Sequence, residues 1–330
     1  MPRGPLMIIG GAEDKVRKPT ILKHFVALSG GADARIAVIP TASSLGPEVV
    51  DVYDALFTKF GAATVDSVRP ESREQAQDPA LVKALDEATG IFMTGGNQLK
   101  LSAIVCGTPV GDAIVRAHER GAVVAGTSAG ASIQSSHMVA FGVGGATPKQ
   151  RMTQVAGGLG LVDSTVIDQH FDQRNRYGRL LMIVAQSPQL LGIGVDEDTC
   201  GLVEDVAGEM VMRVLGKGAV TIFDGSRMVS NAFEAKRSSP LLASGVVFHV
   251  LPEGAVFNLS ARALLPQEQA VDPEDAVELA EASRDLRQLA RDIAAADATP
   301  AAIRRRLKLR RTSRTPADPD PTHPTETVDE

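Results

Sequence analysis

The stretch that most limits what this chain can fold into is residues 122–131, Ala-Val-Val-Ala-Gly-Thr-Ser-Ala-Gly-Ala. Four small or β-branched apolar residues in a row read as a buried strand, Gly126 and Gly130 flank a single serine, and the Ala-Ser-Ile-Gln run at 131–134 can begin a helix. This is a G-x-S-x-G elbow. A strand turning sharply into a helix leaves the Ser128 hydroxyl standing out from the sheet edge, and the glycines allow other backbone to come close. The first N–H groups of such a helix lack intrahelical acceptors, so they point at any oxyanion formed beside the serine. The same pattern suits an ordinary turn of small residues, so its chemistry depends on the partners the rest of the chain supplies.

With 330 residues, 44% of them hydrophobic, the chain can bury one large core or two modest ones. Residues 1–5 run straight into a short strand with no leader pattern, and no apolar run reaches membrane-spanning length, so a cytoplasmic protein with no membrane partner is expected. Two cysteines and six scattered histidines supply neither a disulfide framework nor metal-ligand spacing, and neither a metal nor a cofactor is expected. A net charge of −6 gives no reason to expect nucleic acid as a partner.

Along the chain, short apolar runs alternate with helical patterns. The run at 6–9 ends in Gly10-Gly11, which lacks the spacing of a nucleotide-binding loop and reads as a tight turn before a helical stretch to about residue 28. Strands follow at 36–40, 64–68 and 90–94, with helices at 47–60, 79–87 and 109–120 leading into the elbow strand. Such alternation predicts a parallel sheet with helices on both faces, where ligands gather at the carboxyl ends of strands. The turn Gly95-Gly96-Asn97-Gln98 and Ser128 both lie at such ends. A glycine-rich loop is expected at 142–160, a strand at 164–171 ending in polar residues, a helix at about 173–186, and a strand at 191–195 ending in Asp196-Glu197-Asp198. From 200 to 263, short strands between Gly, Asp and Pro turns predict an antiparallel extension of the main sheet. That extension includes a hairpin pairing 246–251 with 255–259. The expected organisation is an α/β domain over 1–265, an amphipathic helix over 266–298, and a tail over 299–330. The tail opens with a basic run at 304–311, read as a solvated cluster, and continues as a Pro/Thr/Asp segment unable to pack a core.

A serine nucleophile needs a base within hydrogen-bond reach and a group to orient that base. His170 is the one histidine among polar residues at an expected strand end, and Glu197, with Asp196 and Asp198 as competitors, follows the next strand. The resulting order, Ser…His…acid, differs from the Ser…Asp/Glu…His order of α/β-hydrolases, so the elbow by itself does not make a lipase or esterase. Arg174, Arg176 and Arg179 follow directly after the candidate base. They cannot share one helix face, but at a helix start they can fan around a site and grip carboxylates in bidentate fashion, with Asp168 available for a guanidinium.

Five segments together resemble the cyanophycinase family, serine peptidases grouped with aspartyl dipeptidases: 10–15 (GGAEDK), 94–98 (TGGNQ), 126–131 (GTSAGA), 168–180 (DQHFDQRNRYGRL) and 194–199 (GVDEDT). The resemblance spans roughly residues 6–262. It implies a flavodoxin-like or class I glutamine-amidotransferase-like α/β fold, a homodimer, and a Ser128, His170, Glu197 triad. It further implies substrate contacts from Gln98, Asp168, Gln169, Arg174, Arg176 and Arg179. The expected reaction is hydrolysis of cyanophycin, a polyaspartate bearing arginine on its side-chain carboxyls, to β-Asp-Arg through an acyl-enzyme. Backbone N–H groups near Gly96 and Ala129 would receive the oxyanion. An aspartyl or isoaspartyl dipeptidase is the nearest alternative, and a non-catalytic polymer-binding or regulatory module is the alternative from another class.

Overall fold

The computed structural model of the chain describes residues 3–266, and the helix and tail expected beyond residue 265 lie outside this described part. Five short strands build the parallel half of the first sheet: β1 (Leu6–Ile9), β2 (Arg35–Ile39), β3 (Thr64–Ser67), β4 (Gly90–Met93) and β5 (Val123–Thr127). They pair in parallel in the spatial order 1-5-4-2-3. Apolar side chains at successive positions serve opposite faces, as the two-residue period of a strand requires. Met7 and Ile9 join Phe25, Tyr53, Phe57 and Phe92 under α1 (Thr20–Leu28) and α2 (Glu48–Lys59). Leu6 and Ile8 join the opposite layer with residues of α3 (Pro79–Glu87), α4 (Gln98–Val105) and α5 (Pro109–Glu119). The helix starts follow local chemistry: Asp78 and Thr108 accept backbone N–H groups ahead of Pro79 and Pro109. The first helix begins at Thr20 rather than soon after Gly11, because Asp14 holds the preceding loop and Pro19 stands at the boundary.

Beyond the elbow helix α6 (Ala129–Ser132) the chain builds a second, six-stranded sheet that the sequence pattern does not announce. It contains β6 (Ser135–Gly142), β7 (Thr153–Gly157), β8 (Val162–Gln169) and β9 (Leu191–Val195), with β6, β8 and β9 parallel. Part of the expected 142–160 loop is therefore strand β7. Helix α7 (Tyr177–Gln186) covers one face of this sheet, while Met138, Ile167, Ile193 and Ile222 join the core of the first.

The antiparallel extension of the first sheet consists of β10 (Thr199–Val206) and β11 (Glu209–Gly216), and further out of two strands near the end of the described chain. Strand β12 (Val220–Asp224) and the two-residue pair β13 (Val229–Ser230) and β14 (Ala243–Ser244) come next, followed by β15 (Val247–Leu251), β16 (Val256–Asn258) and β17 (Ala263–Leu264). The hairpin expected across Pro252-Glu253-Gly254 does not form. Strand β15 pairs with β12 in the second sheet and β16 with β11 in the first, so this turn carries the chain from one sheet to the other. Both runs fit a pleated surface, but each pairs with an earlier strand instead. Among the described residues no helix is long and apolar enough to cross a membrane.

The two sheets meet at Gly10-Gly11. The Gly10 N–H donates to the Thr199 carbonyl at 2.9 Å, and its carbonyl accepts the His170 N–H at 2.8 Å. A Cβ on Gly10 would stand 2.0 Å from the Asp196 carbonyl oxygen, so no larger residue fits without moving backbone. Gly10→Ala is expected to cost about 3 kcal/mol, the upper end of overpacking penalties, in urea unfolding. Gly157, where a Cβ would meet nothing within 4 Å, serves as control, with Gly157→Ala changing stability by less than about 0.5 kcal/mol.

Candidate active site

Strand β5 ends at Thr127, and Ser128 takes φ 53° and ψ −108°, a left-handed conformation rare for a residue with a side chain. Its N–H donates to the Ile9 carbonyl at 2.9 Å, which ties the turn to the neighbouring strand. A Cβ on Gly126 would fall 2.0 Å from the Gly130 oxygen, and one on Gly130 would fall 2.3 Å from the Met93 oxygen. The elbow can close only with glycine at both positions. Helix α6 is a single turn, so any anion stabilisation here comes from individual N–H groups rather than from a long helix dipole. Among the described residues the N–H groups of Gly96 and Ala129 have no acceptor.

His170 follows β8 directly, with φ 46°, and its ring lies against the Cα of Gly11, where a Cβ would be 2.3 Å from Cε1. From this seat Nε2 stands 2.9 Å from Ser128 Oγ and Nδ1 stands 2.6 Å from Glu197 Oε1. Glu197 follows β9, and its own N–H donates to Gln173 Oε1 at 2.9 Å. The competing carboxylates are occupied elsewhere: Asp196 accepts the N–H groups of Asp172 and Ala219, while Asp198 accepts the Asp14 N–H and pairs with Lys217. Burial holds the His170 pKa below its ordinary value, helped by the positive charges of Arg174 and Arg176 and opposed by Glu197. The imidazole is accordingly neutral at neutral pH. Such an arrangement can take a proton from a hydroxyl at Nε2 while the Glu197 carboxylate holds Nδ1–H.

Ser128 and His170 line a cleft of about 580 Å³, together with Gly96, Gln98, Gln169, Arg174 and Arg176. Gln98 donates its side-chain amide to the carbonyls of Val139 and Ala140, at 3.1 and 2.8 Å, so only its carbonyl oxygen is left for a ligand. It does not cap the following helix, since Asn97 accepts the Lys100 N–H. Arg174 is exposed and has no acidic partner among the described residues.

Two of the expected substrate contacts are corrected. Asp168 is fully buried and does not face the cleft; it pairs with Arg179 through both carboxylate oxygens and with Arg176 at 3.1 Å. Arg179 is only 2% exposed and also donates to the Gly142 carbonyl at 2.9 Å. The cause is local. Asn175 adopts φ 48°, and α7 begins only at Tyr177, so that Arg176 at its N-cap and Arg179 in its first turn both reach back to the same aspartate. Arg176 lines the cleft but is held by Asp168 and the Gln169 side chain, and burial pulls its pKa down to about 10.

Sequence reasoning assigned no role to Glu13, Lys15, Glu48 and Tyr53, which also line the cleft. Glu13 is buried and accepts Thr127 Oγ at 2.5 Å, Tyr53 OH at 2.7 Å and Lys15 Nζ at 2.8 Å. The Gly-Gly-Ala-Glu-Asp-Lys motif was the available signal, but its periodicity says nothing of chemistry. Asp14 of that motif accepts the N–H groups of Val16, Arg17 and Lys18, which hold its pKa down at about 2.

Comparison with known proteins identifies the family. A model of peptidase family S51 matches residues 6–210. The cyanophycinase of Nostoc sp. (strain PCC 7120 / SAG 25.82 / UTEX 2576) is 39% identical over 264 residues, covering 79% of this chain and 87% of its own length. That of Geminocystis herdmanii (strain PCC 6308) is 38% identical over 258 residues, covering 78% and 94%. A peptidase from an acI-B1 Actinobacterium, solved by crystallography, shares the fold with a TM-score of 0.54 at 21% identity, covering 75% of this chain and 98% of that one. The chain belongs to peptidase family S51 and is a peptidase.

Proposed function

We propose that this chain hydrolyses cyanophycin to β-Asp-Arg dipeptides through an acyl-enzyme on Ser128. The observation that carries the reading is the continuous Glu197–His170–Ser128 hydrogen-bonded chain at a cleft that also contains Arg174, which has no acidic partner among the described residues. The relatives at 38–39% identity, which bear the name cyanophycinase, support the choice of substrate.

In this mechanism His170 Nε2 accepts the Ser128 hydroxyl proton as Oγ attacks the peptide carbonyl between aspartates. The N–H groups of Gly96 and Ala129 receive the resulting oxyanion. Collapse of the tetrahedral species breaks the peptide bond, and the proton on Nε2 passes to the leaving amine. Water then gives its proton to Nε2 and attacks the acyl carbon, and the returning proton frees Ser128. Glu197 fixes the tautomer and stabilises the imidazolium. Arg174 supplies a cation for substrate carboxylates. Glu48 is the cleft-lining carboxylate without a basic partner among the described residues, and it takes the guanidinium role that the buried Asp168 cannot fill. The reading includes a cytoplasmic homodimer, with hydrolysis confined to residues 1–265.

Incubation with cyanophycin, followed by mass identification of the product, tests the reading. β-Asp-Arg is expected; an untouched polymer with cleavage only of Asp-X dipeptides favours the aspartyl dipeptidase alternative. Ser128→Ala is expected to lower kcat by at least about 10³-fold with an unchanged melting temperature. The rate constant kcat/KM should fall as pH drops through the His170 pKa, where the base becomes charged, so the acidic limb lies below the ordinary histidine value of 6.5. An acidic limb above that value contradicts the assignment. Truncation after Pro266 should retain hydrolysis of soluble substrate, and total loss would assign the remainder to the catalytic unit.

A further inference from the structure

The cleft carries a cation that the proposed mechanism leaves without a task. Lys15 Nζ donates to Glu13 Oε1 at 2.8 Å, lies 3.4 Å from the Glu13 carbonyl oxygen, and stands 5.3 Å from the centroid of the Tyr53 ring. Glu13 cannot itself meet a ligand. Its side chain is 1% exposed, and its oxygens already accept Tyr53, Lys15 and Thr127. Lys15 differs, because its side chain is 32% exposed and the ammonium retains a donor beyond the two aimed at Glu13. Tyr53 is buried, and both burial and the adjacent Glu13 raise its pKa well above the ordinary phenol value, so it stays a neutral donor and a π-face.

The position of the ammonium is set before any ligand arrives. Asp14 accepts three successive N–H groups on the far side of Lys15, and the Asp14 N–H donates to Asp198 beside Glu197. Thr127, the residue before Ser128, donates to the same Glu13 that holds Lys15. Lys15 is thereby fixed relative to the serine by a chain of two hydrogen bonds.

Resting on the cyanophycin reading above, we propose that Lys15, held by Glu13 and Tyr53, is a specificity-determining residue that binds a carboxylate of the substrate. Glu13 is a positioning residue for it. Two carboxylates of cyanophycin have the required chemistry, the one on each arginine and the one at the aspartyl chain end.

The test uses the full chain and a short synthetic oligomer of aspartate bearing arginine on its side-chain carboxyls. Two further oligomers carry amides in place of the arginyl carboxylates or of the terminal aspartyl carboxylate. Lys15→Met is expected to raise KM for the parent oligomer about tenfold or more, as loss of one charge-assisted contact does, with a smaller change in kcat. Lys15→Arg, which keeps the charge, should stay within about threefold of the wild type. On the amidated oligomer that lacks the recognised carboxylate, wild type and Lys15→Met should differ by less than about twofold, which identifies the carboxylate by a double-mutant cycle. An equal KM penalty on all three oligomers, or none on the parent, overturns the assignment, and the Lys15→Arg arm decides the matter if Lys15→Met melts early. A wild-type chain that leaves the parent oligomer uncut overturns the cyanophycin reading together with this one. Cleavage by wild type with an unaffected Lys15→Met overturns the role of Lys15 alone.

Discussion

The hydrogen bond from the His170 N–H to the Gly10 carbonyl is the contact on which the rest of the site depends. Ser128 stands at the end of a strand in the first sheet, whereas His170 and Glu197 stand at the ends of adjacent strands in the second. Relative placement to a few tenths of an ångström across two sheets cannot come from either sheet alone. It comes from one turn whose backbone binds Thr199 on one side and His170 on the other, while Gly11 offers the imidazole a surface without a Cβ. The same turn neighbours Ile9, whose carbonyl accepts the Ser128 N–H. Ser128, His170 and the turn are thus linked by backbone rather than by flexible side chains, which is the kind of support the proposed hydrolytic constellation needs.

Charge is distributed to complement that frame. Asp168, buried and bound to both Arg176 and Arg179, anchors the segment immediately after His170, and removal of either sign would leave an uncompensated charge inside the protein. Arg174, exposed and without an acidic partner among the described residues, lines the cleft and favours the neutral form of the imidazole. Three closely spaced arginines therefore divide into two paired with buried Asp168, of which Arg176 also lines the cleft, and one, Arg174, that lines the cleft exposed. Lys15 is a further cleft-lining cation beside Arg174 and Arg176, fixed by a carboxylate that is itself tied to the serine turn.

Much of this was legible from the sequence. Apolar runs ending in Ser128, His170 and Glu197 told that three polar groups sit at strand ends, and the parallel direction of the first five strands, though not their order 1-5-4-2-3, followed from their alternation with helices. Which sheet each later strand joins was not legible, because a buried parallel strand is apolar on both faces whatever its neighbours. The same limit explains 246–259, where two well-formed strand patterns separated by a turn suggested a hairpin although each strand pairs with an earlier strand in a different sheet. The direction of Asp168 was hidden for another reason. A carboxylate at a strand end can face a ligand or its own chain, and the left-handed turn at Asn175, which brings both arginines back to it, has no periodic signature.

The most direct measurement is covalent labelling with a fluorophosphonate, followed by peptide mass mapping of the inhibited protein. The account predicts a single adduct on Ser128 that forms in step with loss of activity and is suppressed by His170→Gln. A fully inhibited protein labelled at another residue, or labelling of Ser128 that is indifferent to the identity of residue 170, would contradict it.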